Sequence, residues 1–540
     1  MTKGALAGLI TALIAAAGCP TDLRTPRQAS TGTSPPLFTE TCAPPSQLRR
    51  LSAAELTRSV DVLFPGAALI EGLPADPRPA EFDNDATALQ PTFLLVQELH
   101  DIAKRASAYV LNNQQAVVGC DVSAEGCVNG YVNDLAVRAF RRPLLVEERE
   151  DLASLCKTGP DNSNDATLGL ALAVEYVLQS PGFVYRADTV VVGVDGRVRV
   201  DAVSLASRLS FFLWGTGPDS VLLNAAIAGE LVTNAQIAAE VNRLLDDPLA
   251  TVAAVGFHAQ WLDYERLDRT VKADSDGFTA EVRNGFAREQ EALASARLNN
   301  NSSLTDLLTT RDGFVTRATA EVYGVEVPAD FPDDGGPLQL PVERGGFLRR
   351  GGFLAAHAHP VHPSPVQRGV FVLRRLLCTE LGAPPGDADV SPPVPGNDDI
   401  AVTNRQVVEE RTGSENCQRC HSMINPVGFA FERYDTIGRH RDTDNGVAID
   451  DNGGLYGQDV VGAEGLVAAL TARNDEVERC GIRKLITRAW GSVDAGWQDC
   501  LVDQVLTSSP SLGLRDLLFT VATHESFRIA TVADIGAVSP

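Results

Sequence analysis

Apolar residues recur at helical spacing along most of the chain. Leu56, Val60 and Leu63 fall on one face behind Ser52, which stands three residues before Glu55 in the pattern of a capping box. A second amphipathic stretch runs over 93–111. Val132, Leu135, Ala136 and Ala139 predict a third helix, stopped by Pro143, and 167–178 a fourth, ended by Ser180-Pro181-Gly182. The period changes at 190–200, where valines alternate with polar residues around Asp195-Gly196, a hairpin signal. Helical spacing returns in Val203, Leu205, Ala206, Leu209, Phe212 and Leu213, then over 237–245, 250–262 and 278–298. From Glu343 to Arg441 the pattern loosens. Gly, Pro, Arg and His dominate, with a short helix before Cys378, a Pro-rich connector over 383–395 and a helix over 404–411. Beyond Ile449, Asn452-Gly453-Gly454 predicts a turn, and helices follow at 466–473, 477–490, 499–506 and 514–526. The expected fold is mainly α, with several consecutive helical domains and few short strands. The units are 46–115, 128–188, 200–326, 343–445 and 449–535.

The first residues read differently. Lys3, the apolar run Ala5 to Ala17 and the Ala16-Ala17-Gly18-Cys19 ending form a signal peptide over 1–19 with a lipobox-like close. Lipidation at Cys19 and a polar tether over 20–45 follow from it, so the protein is expected in the cell envelope. A lipid anchor would hold it at the outer membrane or the periplasmic face. A net charge of −24 repels phosphate backbones, so nucleic acid is not an expected partner. Of the ten cysteines, Cys120 with Cys127 and Cys480 with Cys500 are the expected disulfides of an oxidising compartment. Cys42, Cys156 and Cys378 then leave one odd thiol.

The chemistry concentrates at Cys417-Gln418-Arg419-Cys420-His421. This C-x-x-C-H is the attachment signature of c-type haem: two thiols for thioethers and a histidine for iron. The same residues could form a disulfide or half a zinc site, although no second C-x-x-C is present. The chain has two methionines. Met1 leaves with the signal peptide, and Met423 lies too close to His421 to reach the opposite haem face. The sixth iron position therefore falls to another donor or stays open. His357, His359 and His362, in a Pro-punctuated segment, are the candidate distal ligands; His357-x-His359 also raises copper or zinc. His100 and His258 sit on helical faces and read as packing residues. Asp442, Asp444, Asp450 and Asp451 form an acidic loop without the calcium-loop pattern, read as solvated. No Walker loop, dinucleotide fingerprint or nucleophile elbow stands in a convincing context.

Several blocks carry a resemblance. They include Leu48-Arg49-Arg50-Leu51-Ser52, Arg138-Ala139-Phe140-Arg141-Arg142-Pro143-Leu144, Gln179 to Phe183 and Ser207 to Trp214. Ser364-Pro365-Val366-Gln367-Arg368-Gly369, Cys417 through Gly428, Phe431 to Arg439, Cys480 to Trp490 and Ser526-Phe527-Arg528 complete the set. Together they resemble the planctomycete-type cytochrome-like multidomain proteins, which also occur in myxobacteria. The resemblance implies a small C-terminal cytochrome c-like module at 343–445, with Cys417 and Cys420 attaching haem c and His421 as proximal ligand. The expected function is electron transfer or haem-linked oxidation of an extracellular or periplasmic substrate, with a redox partner or extracellular polymer bound by the helical modules. The other reading is a non-redox surface scaffold whose C-x-x-C-H is a structural disulfide.

Overall fold

Ser52 starts the first helix, Ala53–Leu63, through reciprocal hydrogen bonds: its Oγ accepts from the Glu55 N–H at 3.2 Å, and the Glu55 carboxylate accepts from the Ser52 N–H at 2.9 Å. The same carboxylate takes both arms of Arg49, at 2.7 and 2.9 Å. Burial pushes the Glu55 pKa up, but Arg49 outweighs it and the net shift is downward. The capping signal in the sequence is thus the visible part of a buried ion pair. The computed structural model describes residues 42, 48–157, 165–192, 197–273, 277–384, 386, 402–492, 495–508 and 513–530. The expected signal peptide, Cys19, most of the tether, the Asp195-Gly196 turn and most of the Pro-rich connector lie outside them.

The fold is mainly α, with only short two-stranded sheets among the described residues. Helices Ala53–Leu63, Phe93–Asn112, Cys127–Phe140 and Ala166–Gln179 share one core, in which Leu56, Leu99, Val132 and Val177 are buried. A larger core begins at helix Ala202–Leu213 and runs through Phe257, Phe353, Phe371, Ile424 and Leu485 to Phe527. The described parts of 200–326, 343–445 and 449–530 therefore bury their apolar faces against one another. No helix among the described residues is long and apolar enough to cross a membrane.

An irregular stretch between the first two helices ties the two bodies together. Phe82 leaves the first body and stacks on Phe257 at 5.7 Å in the larger core. Its neighbour Asp83 pairs with Arg488 and takes the Gln260 side chain on its N–H, while Asn84 donates to the Arg488 carbonyl at 2.6 Å. Glu81 pairs with Lys484 at 2.9 Å.

Disulfides reinforce the same plan. Cys120 is bridged to Cys127, but Cys480 is bridged to Cys378, and Cys500 to Cys42. The expected Cys480–Cys500 pair fails on helix geometry. Asn474–Trp490 and Ala495–Ser508 flank a short turn, but Cys480 lies about five residues farther from that turn than Cys500. At 1.5 Å per residue this offsets the two thiols by about 7 Å along the hairpin. Among the described residues, Cys156 remains the thiol without a bridge outside the C-x-x-C-H.

Two further elements differ from expectation. Asn452-Gly453-Gly454 is not a turn but part of strand Asn452–Leu455, paired with Gln458–Val461; the turn sits at Tyr456-Gly457, both with positive φ. Gly453 is in the strand because it abuts helix Glu415–Phe429, where a Cβ would stand 2.4 Å from the Pro426 carbonyl. The second difference is that helix itself, which runs on through Ile424-Asn425-Pro426-Val427-Gly428 although an internal proline ordinarily ends or kinks a helix.

Candidate functional site

Helix Glu415–Phe429 carries the C-x-x-C-H and owes its placement to two glycines. It crosses helix Pro365–Phe371 so closely that a Cβ on Gly428 would lie 2.0 Å from the Pro365 carbonyl, and one on Gly369 would lie 2.2 Å from the Ile424 carbonyl. Backbone thus packs on backbone, and this contact holds the helix on course past Pro426. Gly428→Ala should cost about 3 kcal/mol, since backbone atoms on the far side must move. Chemical denaturation of the purified chain measures it.

Cys417, Cys420 and His421 occupy positions i, i+3 and i+4 and so share one face over a single turn. All three are half-buried, and neither thiol is in a disulfide. His421 Nδ1 meets Asn425 Oδ1 at 2.9 Å, one turn further on. Asn425 Nδ2 donates to Thr412 Oγ1 at 2.8 Å, and the Thr412 hydroxyl donates to the Val408 carbonyl at 2.7 Å. Asn425 and Thr412 are both buried. Sequence reasoning missed this chain, although an Asn four residues after the histidine was the signal for it.

The candidate distal histidines are spread over a helix end and a tight turn. His357 ends helix Gly351–Ala356, buried between the rings of Phe353 and Phe371, each 4.8 Å away. Its Nδ1 meets the Phe353 carbonyl at 3.0 Å and its Nε2 faces Asp263 at 3.6 Å. Burial pulls its pKa down, against Asp263. His359 and His362 are half-buried at the two sides of a turn closed by the His359 N–H on the His362 carbonyl at 2.9 Å. Among the described residues no three His, Cys, Asp or Glu side chains form a group able to hold a metal ion. His258 is a core histidine: Nε2 meets Arg297 at 2.8 Å, and burial together with that guanidinium pulls its pKa down to about 3.

A cleft of about 2360 Å³ opens beside the motif helix. Arg419, Cys420 and Met423 line it from that helix, and it is walled also by Asp263, His357, Phe371 and Lys484. Neither Cys417 nor His421 lines it; its volume exceeds the roughly 300–1,000 Å³ of ordinary small-molecule pockets, so it has room for a segment of a partner. Met423 lies about 200° round the helix from His421, at 100° per residue, so the two cannot address opposite faces of one macrocycle.

The acidic loop is not simply solvated. Arg433 pairs with Asp442 and Asp451 at 2.8 Å, Arg441 with Asp444 at 2.5 Å and Arg405 with Asp450 at 3.5 Å. Nearby, Glu432 is buried and accepts from Asn404 Nδ2 at 3.3 Å. Burial raises its pKa to about 7 despite Arg441 and Arg368. A carboxyl whose folded pKa lies above its unfolded one stabilises the fold fully below the unfolded value, near 4.5, and progressively less as pH rises towards 7. Glu432→Gln should therefore flatten the stability profile between pH 4.5 and 7, by up to about 3 kcal/mol at the upper end. Urea midpoints measured across that range test it.

Four segments match models of protein families, each described as a protein of unknown function. Residues 49–112 match PSD3 (DUF1587), 127–188 PSD5 (DUF1595), 200–325 PSD4 (DUF1592) and 344–444 PSCyt3 (DUF1588). The last encloses the C-x-x-C-H and the helix pair that holds it. No curated protein and no solved structure matches the chain. Together the four matches support a multidomain chain, each matched segment being similar to a family of unknown function.

Proposed function

We propose that the protein carries a c-type haem covalently on Cys417 and Cys420, with His421 as the proximal ligand, and acts in electron transfer or haem-linked oxidation. The observation that carries this reading is the helix turn itself. Two thiols outside any disulfide and one histidine share its face, in a chain whose other described cysteines, Cys156 apart, are bridged. The residues present fit the group: the His421 Nδ1 is engaged by Asn425, which leaves Nε2 as the coordinating nitrogen. Bound there, a haem supplies one-electron chemistry; the chain supplies the attachment and the ligand orientation. His357 would have to give up Asp263 to serve as sixth ligand, whereas His359 and His362 lie on a half-buried turn. Single alanine variants at the three should reveal the ligand as one change from low to high spin.

The three disulfides suit an oxidising envelope. With the lipobox-like Cys19 they support an exported, lipid-anchored protein whose cleft receives a redox partner or extracellular polymer. Cys19→Ala should release it from membranes; membrane retention of that variant refutes the anchor. For the haem, the mature chain is expressed with c-type maturation and read by pyridine haemochrome spectrum and haem-stained denaturing gel. Covalent haem lost in Cys417→Ser and in Cys420→Ser is the expected result. No haem in the parent chain, with Cys417 and Cys420 linked to each other by mass spectrometry, leaves the scaffold reading instead.

A further inference from the structure

We infer that Asn425 is a positioning residue that fixes the tautomer of His421 and keeps its ring an uncharged donor, which suits electron transfer rather than chemistry needing an electron-rich ligand; the second half rests on the proposed haem. The argument runs back from the end of the hydrogen-bond chain. A hydroxyl has one proton, and that of Thr412 goes to the Val408 carbonyl at 2.7 Å. Towards Asn425, 2.8 Å away, Thr412 can then only accept, so the amide must present its NH₂ there. Its oxygen is left for His421, and an oxygen acceptor at 2.9 Å requires the proton on Nδ1. The lone pair of the neutral ring is thereby placed on Nε2. A helix carbonyl thus dictates, through three side chains, which nitrogen can coordinate.

The identity of the acceptor carries the rest. A carboxylate at the Nδ1 proton would draw the ring towards imidazolate and make it a stronger donor. An amide oxygen orients the ring without adding charge. Asn425 is 6% exposed and Thr412 8%, so water does not compete freely for either bond. The arrangement also resists protein relaxation, because His421 and Asn425 lie one turn apart on the same helix and Thr412 lies just before its start.

The test reads the full chain with ¹⁵N-labelled histidine, the His421 signal being assigned by its loss in His421→Gln. At about pH 8, where free histidine is neutral, His421 should be the Nδ1–H tautomer. Thr412→Val removes the group that orients the amide and should give a mixture. Asn425→Leu should revert the ring towards Nε2–H, and Asn425→Asp should keep Nδ1–H. A merely structural Asn425 would not separate the last two. An Nε2–H ring in the parent, or one unmoved in both Thr412→Val and Asn425→Leu, overturns the inference. In haem-loaded protein, Asn425→Asp should lower the reduction potential relative to the parent; an unchanged or raised potential overturns the uncharged-donor half. A parent that takes no haem removes the proposed function and that half with it, while the tautomer result stands independently.

Discussion

Arg368→Ala should destabilise the protein by about 4 kcal/mol or more, the largest loss expected from any single change outside the cysteines. Arg368 is 1% exposed, and its guanidinium donates to four backbone carbonyls: Phe431 and Tyr434 at 3.1 Å, Leu354 and Asp435 at 3.0 Å. None of these acceptors is a carboxylate, and burial pulls the Arg368 pKa down to about 10. The guanidinium is a cross-tie holding the chain segment after the motif helix against the helix before it. Truncation leaves four buried carbonyls to find other donors. Lysine presents a point charge with no planar fork, so Arg368→Lys should recover part of the loss and no more. Equilibrium denaturation of the three proteins decides it; a difference under about 1 kcal/mol between parent and Arg368→Ala would show that water fills the gap. Arg141 repeats the device, donating to the carbonyls of Ala139, Gly182, Phe183 and Tyr185.

Removing the Cys378–Cys480 bridge, as Cys378→Ser with Cys480→Ser, should cost about 2–5 kcal/mol. The bridge closes a separation of 102 residues and fastens the chain just past Val372–Leu376, the continuation of helix Pro365–Phe371, to helix Asn474–Trp490. Cys378 also lines the cleft beside Cys420. The double variant should therefore unfold at lower denaturant and, in chain expressed without haem maturation, expose Cys420 to alkylating reagents more quickly. Equal alkylation rates with lowered stability would confine the bridge to a purely global role.

Helix positions were legible in the sequence because their causes are local. Ser52 and Glu55, the 3.6-residue stripe of Val132 to Ala139, and the Thr403 to Arg411 segment all follow from short-range spacing. The C-x-x-C-H was legible for the same reason. What escaped depended on partners far along the chain. Nothing near Cys480 marks Cys378 over Cys500, and nothing near Phe82 announces a seat against Phe257. Several motif residues also proved to be structural. Arg368 ties carbonyls, and Gly369 and Gly428 permit a close helix crossing. Asn425 lay in plain view, but its meaning required Thr412, which lies on the preceding turn of chain.

The Cys42–Cys500 bridge has a mechanical consequence. It spans 458 residues and joins Cys42 to helix Ala495–Ser508. Tension applied between the two ends of the chain bypasses everything between, because the load passes from Cys42 straight across sulfur to Cys500. The enclosed residues form a covalent ring that pulling alone cannot pay out. Reduction of this bridge together with the enclosed Cys378–Cys480 and Cys120–Cys127 bridges would open the ring and free a contour of about 1,500 Å, at roughly 3.3 Å per extended residue. A protein tugged by its N-terminal segment would thus keep its cleft and motif helix unstretched for as long as that one bond stays oxidised.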